Sequence, residues 1–248
     1  MATKVYRRFV QRIESYTSDL ELCDLLVRQF LVTPNSDASV AEALGSNNRQ
    51  HLHLGRRRNN RKSRDIFGFH LKASLYAAFI KDLFEDFSEF LSETLTKAAM
   101  KGIDPARFIG NVKLELHAAD ILGAGNWDAV VRMISDALFR RLENERNTKD
   151  LIEKASVRIA LQLDNAILDA AMPYLDARHM LVHRDGKTDE KYQNDYPKIR
   201  LRDDKIIVDF QFVSVAKTTV IALAMHIDQC IIAANLVRRQ DVDGQREL

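Results

Sequence analysis

The chain has 248 residues and a mass of 28.4 kDa, enough for one large domain or one domain with an extra arm. With 46% hydrophobic and 29% charged residues but only 9 glycines and 4 prolines, it is no collagen, low-complexity chain or loop-rich β architecture. The net charge of +2 excludes a histone-like polycation; two distant cysteines, Cys23 and Cys230, exclude a disulfide framework and a four-thiolate zinc site, and point to a reducing, cytoplasmic compartment.

Helical periodicity dominates from the start. Phe9, Ile13, Tyr16, Leu20, Cys23, Val27 and Phe30 recur at three or four, which predicts a helix over 4–32 that Pro34 ends. Residues 45–64 have no clear period and read as a loop. It is a basic one: Arg49, Arg56, Arg57, Arg58, Arg61, Lys62 and Arg64 fall within it with no acidic residue, and His51 and His53 sit among them. Residues 65–101 give the clearest helix, with Tyr76, Phe79, Ile80, Leu83, Phe87, Phe90, Leu91 and Leu95 as an apolar stripe and Gly102 as its C-terminal cap. The aromatics from Phe79 to Phe90 read as core. Asp104-Pro105 starts a shorter helix to about Leu122. Asn126 caps the next one, carried by Val130, Ile134, Leu138 and Leu142, with Trp127 as a packing anchor. A further helix follows Thr148, faced by Leu161, Ile167, Leu168 and Leu175, with Pro173 expected to kink or restart it and Asp185-Gly186 to end it. His117 and His226 fall on apolar-rich helices and read as core.

After a polar stretch, 187–197, the period changes to two. Ile199 and Leu201, then Ile206, Val208, Phe210 and Phe212, alternate with polar residues around Asp203-Asp204, which predicts a β-hairpin over about 198–212. A last helix is expected over about 214–238. Its apolar run from Val220 to Val237 is interrupted by His226, Asp228 and Gln229, so it reads as a buried helix and no membrane association is expected. The sum is a mainly α fold: a helical bundle with a small hairpin before its last helix. Residues 1–64, an N-terminal helix and basic loop, are expected to pack on a helical domain over 65–248 as one integrated unit.

The phosphate-loop, dinucleotide, zinc-protease and nucleophile-elbow motifs are absent. One segment concentrates chemistry: Arg178-His179-Met180-Leu181-Val182-His183-Arg184-Asp185-Gly186. On a helix, His179 and His183 share a face. Imidazole takes and gives protons near neutral pH, and guanidinium grips a phosphate with two parallel hydrogen bonds. Together they can cleave RNA without a metal: a base takes the 2′-hydroxyl proton, that oxygen attacks the adjacent phosphorus, and arginine stabilises the phosphorane.

Arg178-x4-His183, with polar His179 after the arginine and Leu181 in the middle, resembles the R-x(4–6)-H signature of HEPN domains. The placement agrees: late in the chain, at the end of a long helix, before a final hydrophobic one. The resemblance is best over 65–238. It implies a helical, metal-independent endoribonuclease of toxin or phage-defence type that leaves a 2′,3′-cyclic phosphate. Arg178 and His183 would be catalytic, with His179 positioning the arginine or carrying a second proton. It also implies RNA as substrate, a homodimer with a composite site, and a regulatory or antitoxin partner protein. No cofactor is implied. Arg184, Arg56, Arg57 and Arg58 are candidates for holding the RNA. Asp185 replaces the tyrosine that HEPN toxins paired with a nucleotidyltransferase carry two residues after the histidine, which argues against that subgroup.

The motif is short, and about two chance matches are expected in this chain. A second exists, Arg64 to His70, but it lies at a helix start with Gly68 in its middle. Other readings stay open. Arg178 and His183 also fit helix-end cations set against the helix dipole. His179 and His183 also fit two ligands of a metal site that lacks a nearby third. The basic run also fits a solvated loop. The rival function is a non-catalytic helical module that binds RNA or a protein.

Overall fold

The computed structural model of the protein describes residues 1–143 and 147–243, which form a mainly helical bundle with two small strand pairs. Strand β1 (Ala2–Thr3) leads into α1 (Lys4–Leu31), where the Thr3 side chain accepts a hydrogen bond from the Tyr6 amide at 3.1 Å. The short helices α2 (Val40–Ala43) and α3 (Leu52–Gly55) connect it to α4 (Arg61–Lys101). Then come α5 (Pro105–Ile109), α6 (Ala118–Gly123), α7 (Trp127–Glu143), α8 (Thr148–Arg158), α9 (Asn165–His183) and α10 (Glu190–Asp195). The hairpin of β2 (Leu201–Arg202) and β3 (Lys205–Ile206) precedes α11 (Phe210–Ala233), and β4 (Val242–Asp243) returns to pair antiparallel with β1.

The 41-residue α4 is the axis of the fold and packs against α1, α7, α8, α9 and α11. At 1.5 Å per residue it is about 60 Å long. Its second half supplies the core through Tyr76, Ile80, Leu83, Phe87, Phe90 and Leu95, which meet Ile13 of α1, Leu138 of α7, Leu168, Met172 and Leu175 of α9, and Val220 and Leu223 of α11 in one apolar cluster. Long and apolar enough to cross a membrane by composition, α11 here packs in that bundle and buries Phe212, Val213, Val220, Leu223, Ile227 and Ile231. Its Asp228 holds the N-terminus, accepting hydrogen bonds from the Thr3 amide and hydroxyl at 3.1 and 2.5 Å.

The first half of α4 differs. From Arg61 to Leu75 only Ser63, Arg64 and Gly68 are buried. This half runs beside the end of α1 so closely that a Cβ on Gly68 would lie 2.9 Å from Val27 Cγ1. Polar contacts hold this arm. Asp24 takes Lys72 and Tyr76 across the helix pair, and Arg28 at 2.7 Å on its own helix. Burial raises the Asp24 carboxyl, but Lys72, Arg28 and Tyr76 outweigh it and leave the group below its ordinary value.

Several boundaries differ from the sequence expectation. The 45–64 segment is not one loop: it contains α3, a bridge between Ser39 and Arg58, and the first turn of α4, which Asn60 caps. The helix expected to reach Leu122 stops at Gly110, whose φ of +56° is left-handed, and the Arg158 guanidinium donates to the Ile109 carbonyl there at 2.5 Å. The helix after Thr148 is two helices, parted at Ala160, with φ +55°, and restarted by the Asp164 cap. Pro173 does not break α9, which continues through it with Ala171, Met172, Leu175 and Ala177 buried on both sides. The hairpin shrinks to four paired residues about Asp203 and Asp204, both at positive φ as a primed turn requires. Phe210 and Phe212 belong to α11 because Asp209 caps it, and α11 ends at Ala233 rather than near 238. The polar 187–197 stretch contains α10, which buries Tyr192. Trp127 is no packing anchor: it is 71% exposed. His117 is exposed too, as the residue before α6, while His226 is half-buried and accepts from the Asp164 amide at 3.0 Å.

Candidate active site at the end of α9

The last turns of α9 are fixed by how the helix stops. Asp185 and Gly186 both take positive φ, and the Gly186 amide turns back to the Met180 carbonyl at 2.9 Å. Met180 and Ala177 anchor this end in the core, which leaves Arg178 half-buried on one flank and His179 and His183 exposed on another.

Arg178 lies over the ring of Phe84 on α4, with its guanidinium carbon 5.1 Å from the ring centroid. Its Nε is buried without a hydrogen-bond partner. A guanidinium on an aromatic face is oriented without being neutralised, so its charge stays available. Glu143, at the end of α7, faces it: burial pushes that carboxyl up, and Arg140 and Arg178 draw it partly back.

Arg178 and His179 line one cleft of about 500 Å³, with Phe84, Glu143, Asp176 and Lys191. Arg178 also borders a second groove of about 510 Å³ between α4 and α7. His183 does not line the cleft; its ring lies beside that of His179, centroids 4.9 Å apart and planes at 49°. The structure therefore brings Arg178 and His179 to one cleft and sets His183 beside His179, outside that lining.

The other candidates lie apart. Arg184 is exposed and paired with Asp189 at 3.1 Å. Arg56, Arg57 and Arg58 belong to the connection between α3 and α4 and do not line the cleft; Arg58 is paired with Asp37 at 2.7 Å. The cleft is not basic: Glu143, Asp176, Asp189 and Asp195 stand in its lining against Arg178 and Lys191. Among the described residues, no group of three His, Cys, Asp or Glu side chains is placed to hold a metal, so the His179–His183 pair has no third ligand there.

Sequence reasoning placed Phe84 in the core and passed over Glu143 and Lys191. The helical period carried no signal for this: Phe84 packs against the edge of the core while its ring also meets Arg178. Comparison of the chain with protein-family models, curated proteins and solved structures finds no match.

Proposed function

We propose that the protein is a metal-independent endoribonuclease of HEPN type. The observation that carries the reading is the cleft shared by Arg178 and His179, with the His183 ring 4.9 Å from the latter. In this reading Arg178 grips the scissile phosphate, its position supported by the Phe84 face. One imidazole, His183 in the primary assignment, takes the proton from the 2′-hydroxyl. O2′ bonds to phosphorus, the P–O5′ bond breaks, and a second imidazole protonates the departing O5′. The products are a 2′,3′-cyclic phosphate and a 5′-hydroxyl. His179 positions the arginine or serves as that second proton carrier. In-line displacement sets attacking and leaving oxygens on opposite sides of phosphorus, and a second copy facing the first would supply the far side. A toxin or phage-defence role belongs to the same proposal.

The test is incubation of wild type, Arg178→Ala and His183→Ala with RNA in EDTA, followed by analysis of the new ends. Wild type should leave cyclic phosphates and both variants should keep helical circular dichroism while losing cleavage. Equal cleavage by all three would remove the assignment.

A second reading, a non-catalytic RNA-binding module, is favoured by one observation: Arg56 and Arg57 are exposed. It predicts RNA binding without cleavage, indifferent to Arg178→Ala and lost when Arg56, Arg57 and Arg58 are neutralised together.

A further inference from the structure

A second cavity adjoins the cleft of Arg178. It has a volume of about 670 Å³ and lies between α9, the start of α8, α10 and the chain that leaves α10. Asn147, Lys191 and Asp195 line both spaces. On α9, Ala170, Tyr174 and Arg178 follow at steps of four and share one face; the first two line the cavity and the third lines the cleft. Tyr174 is therefore one turn, about 6 Å of helix, from Arg178.

The frame of the cavity is fixed. The Tyr192 hydroxyl donates to the Pro173 carbonyl at 2.7 Å, the Tyr196 hydroxyl donates to the Asp176 carboxylate at 2.6 Å, and the two tyrosine rings meet edge to face with centroids 5.0 Å apart. These contacts hold α10 and its exit on α9, so the space is formed before a ligand arrives.

Its lining has two characters. Pro173, Tyr174, Tyr196, Pro197 and Ile199 supply apolar and aromatic surface. Lys149, Lys191 and Lys198 stand against Asp169 and Asp195, and Lys149 is taken by Asp169 at 2.7 Å. Lys191 and Lys198 are exposed and form no ion pair among the described residues. The cleft beside it has the opposite balance, with Glu143, Asp176, Asp189 and Asp195 against Arg178 and Lys191.

A strand whose scissile phosphate sits on Arg178 must place its neighbouring base and phosphate somewhere, and the carboxylates of the cleft repel them. We propose that the second cavity is a nucleotide subsite for that strand: the base beside the scissile phosphate enters against the tyrosine and proline surface, and Lys191 and Lys198 hold the next phosphate. Unpaired RNA is bound in this manner, with bases turned onto aromatic side chains and a cationic groove along the backbone. A base engaged in a duplex cannot enter, so the subsite selects single-stranded RNA. The inference rests on the reading of Arg178 as the phosphate clamp and adds the substrate class.

The experiment is fluorescence anisotropy of a labelled 2′-O-methyl pentanucleotide, which has no free 2′-hydroxyl to attack, with the full chain over a salt series in EDTA. The wild type should bind it, and should bind the same sequence in a duplex more weakly. Lys191→Ala and Lys198→Ala should each weaken binding and lower the slope of log affinity against log salt by about 0.7, the share of one phosphate on a single strand. Ala170→Trp fills the cavity and keeps every charge. Ala170 is exposed, so circular dichroism should be unchanged while affinity falls by roughly tenfold, as for loss of one base contact. Wild-type affinity in all three variants, a duplex bound as tightly as the single strand, or no binding by the wild type would overturn the proposal. So would AMP that competes at the affinity of the pentanucleotide, which would make the cavity a site for a free nucleotide. Binding is read without cleavage, so a wild type that binds through these residues and leaves natural RNA intact would defeat the nuclease chemistry and spare the subsite.

Discussion

Two arginine–histidine motifs of nearly equal spacing stand on different helices of the fold. Arg64, with His70 six residues on, lies in the first turn of α4; Arg178, with His183 five residues on, lies in the last turns of α9. Arg64 is only 4% exposed, and its terminal nitrogens donate to the Asn59 and Asn35 side-chain oxygens at 2.9 and 3.0 Å. Asn59 in turn donates to the Pro34 carbonyl at 3.0 Å, so Arg64 ties the connection between α1 and α4 to the helix it starts. Arg178 has a ring beneath it, a cleft beside it and an imidazole next to it. The spacing is shared, but one guanidinium is spent on the fold and the other faces space a substrate can enter.

Ways to break this contrast can be ranked by expected effect. The largest concerns the imidazoles. His183→Ala should lower RNA cleavage by roughly 10²–10⁴-fold if it moves the proton, read by gel-resolved rates in EDTA; His70→Ala should leave the rate unchanged. Next is stability. Arg64→Ala leaves Asn59 and Asn35 without their donor, and should cost about 2–3 kcal/mol in urea unfolding. A loss below about 0.5 kcal/mol would show that the buried network does not hold the arm.

Smaller again is the effect of the ring beneath Arg178. Phe84→Leu keeps an apolar contact and removes the π face, an interaction of about 0.5–2 kcal/mol. It should lower cleavage by a few-fold to about thirtyfold, with circular dichroism unchanged. No change would mean that the ring does not position the guanidinium.

The smallest effect is a pH dependence far from both motifs. Burial, the larger influence, raises the Asp228 carboxyl above its ordinary value, with the Thr3 hydrogen bonds pulling against it. A carboxyl whose folded value exceeds its unfolded one binds more protons when folded. Its contribution is therefore most favourable below the unfolded value of about 3.9 and declines as pH rises toward the folded one. Denaturation at a series of pH values should show this decline in wild type and not in Asp228→Asn. The opposite slope in the difference would contradict the assignment.

How far the sequence could be read follows from the same physics. The second half of α4 was legible because a helix packed on several neighbours must repeat its apolar residues at three and four, as Tyr76 to Leu95 do. Thr3, Asn60, Asp164 and Asp209 cap helices through side chains that reach only two or three residues, and a short-range signal of that kind fixes a boundary only when the helix beyond it is already known. Gly110 and Ala160 broke helices for reasons set elsewhere, by Arg158 and by the restart at Asp164. For the candidate site, the helix and the shared face of His179 and His183 were legible from i, i+4 spacing. That Phe84 carries Arg178 and Glu143 faces it was not, because those contacts join α4, α7 and α9 across the fold. The roles given to Arg184 and to Arg56–Arg58 rested on charge alone, and charge does not say that Asp189 and Asp37 already pair with two of them.

The most direct measurement of the central claim is single-turnover cleavage of RNA in EDTA by wild type, Arg178→Ala and Arg64→Ala, each normalised to the folded fraction. The account predicts a loss of roughly 10²–10³-fold for Arg178→Ala, as for removal of a transition-state donor, and an unchanged rate per folded molecule for Arg64→Ala. Cleavage by Arg178→Ala at the wild-type rate, or no cleavage by the wild type at all, would contradict it.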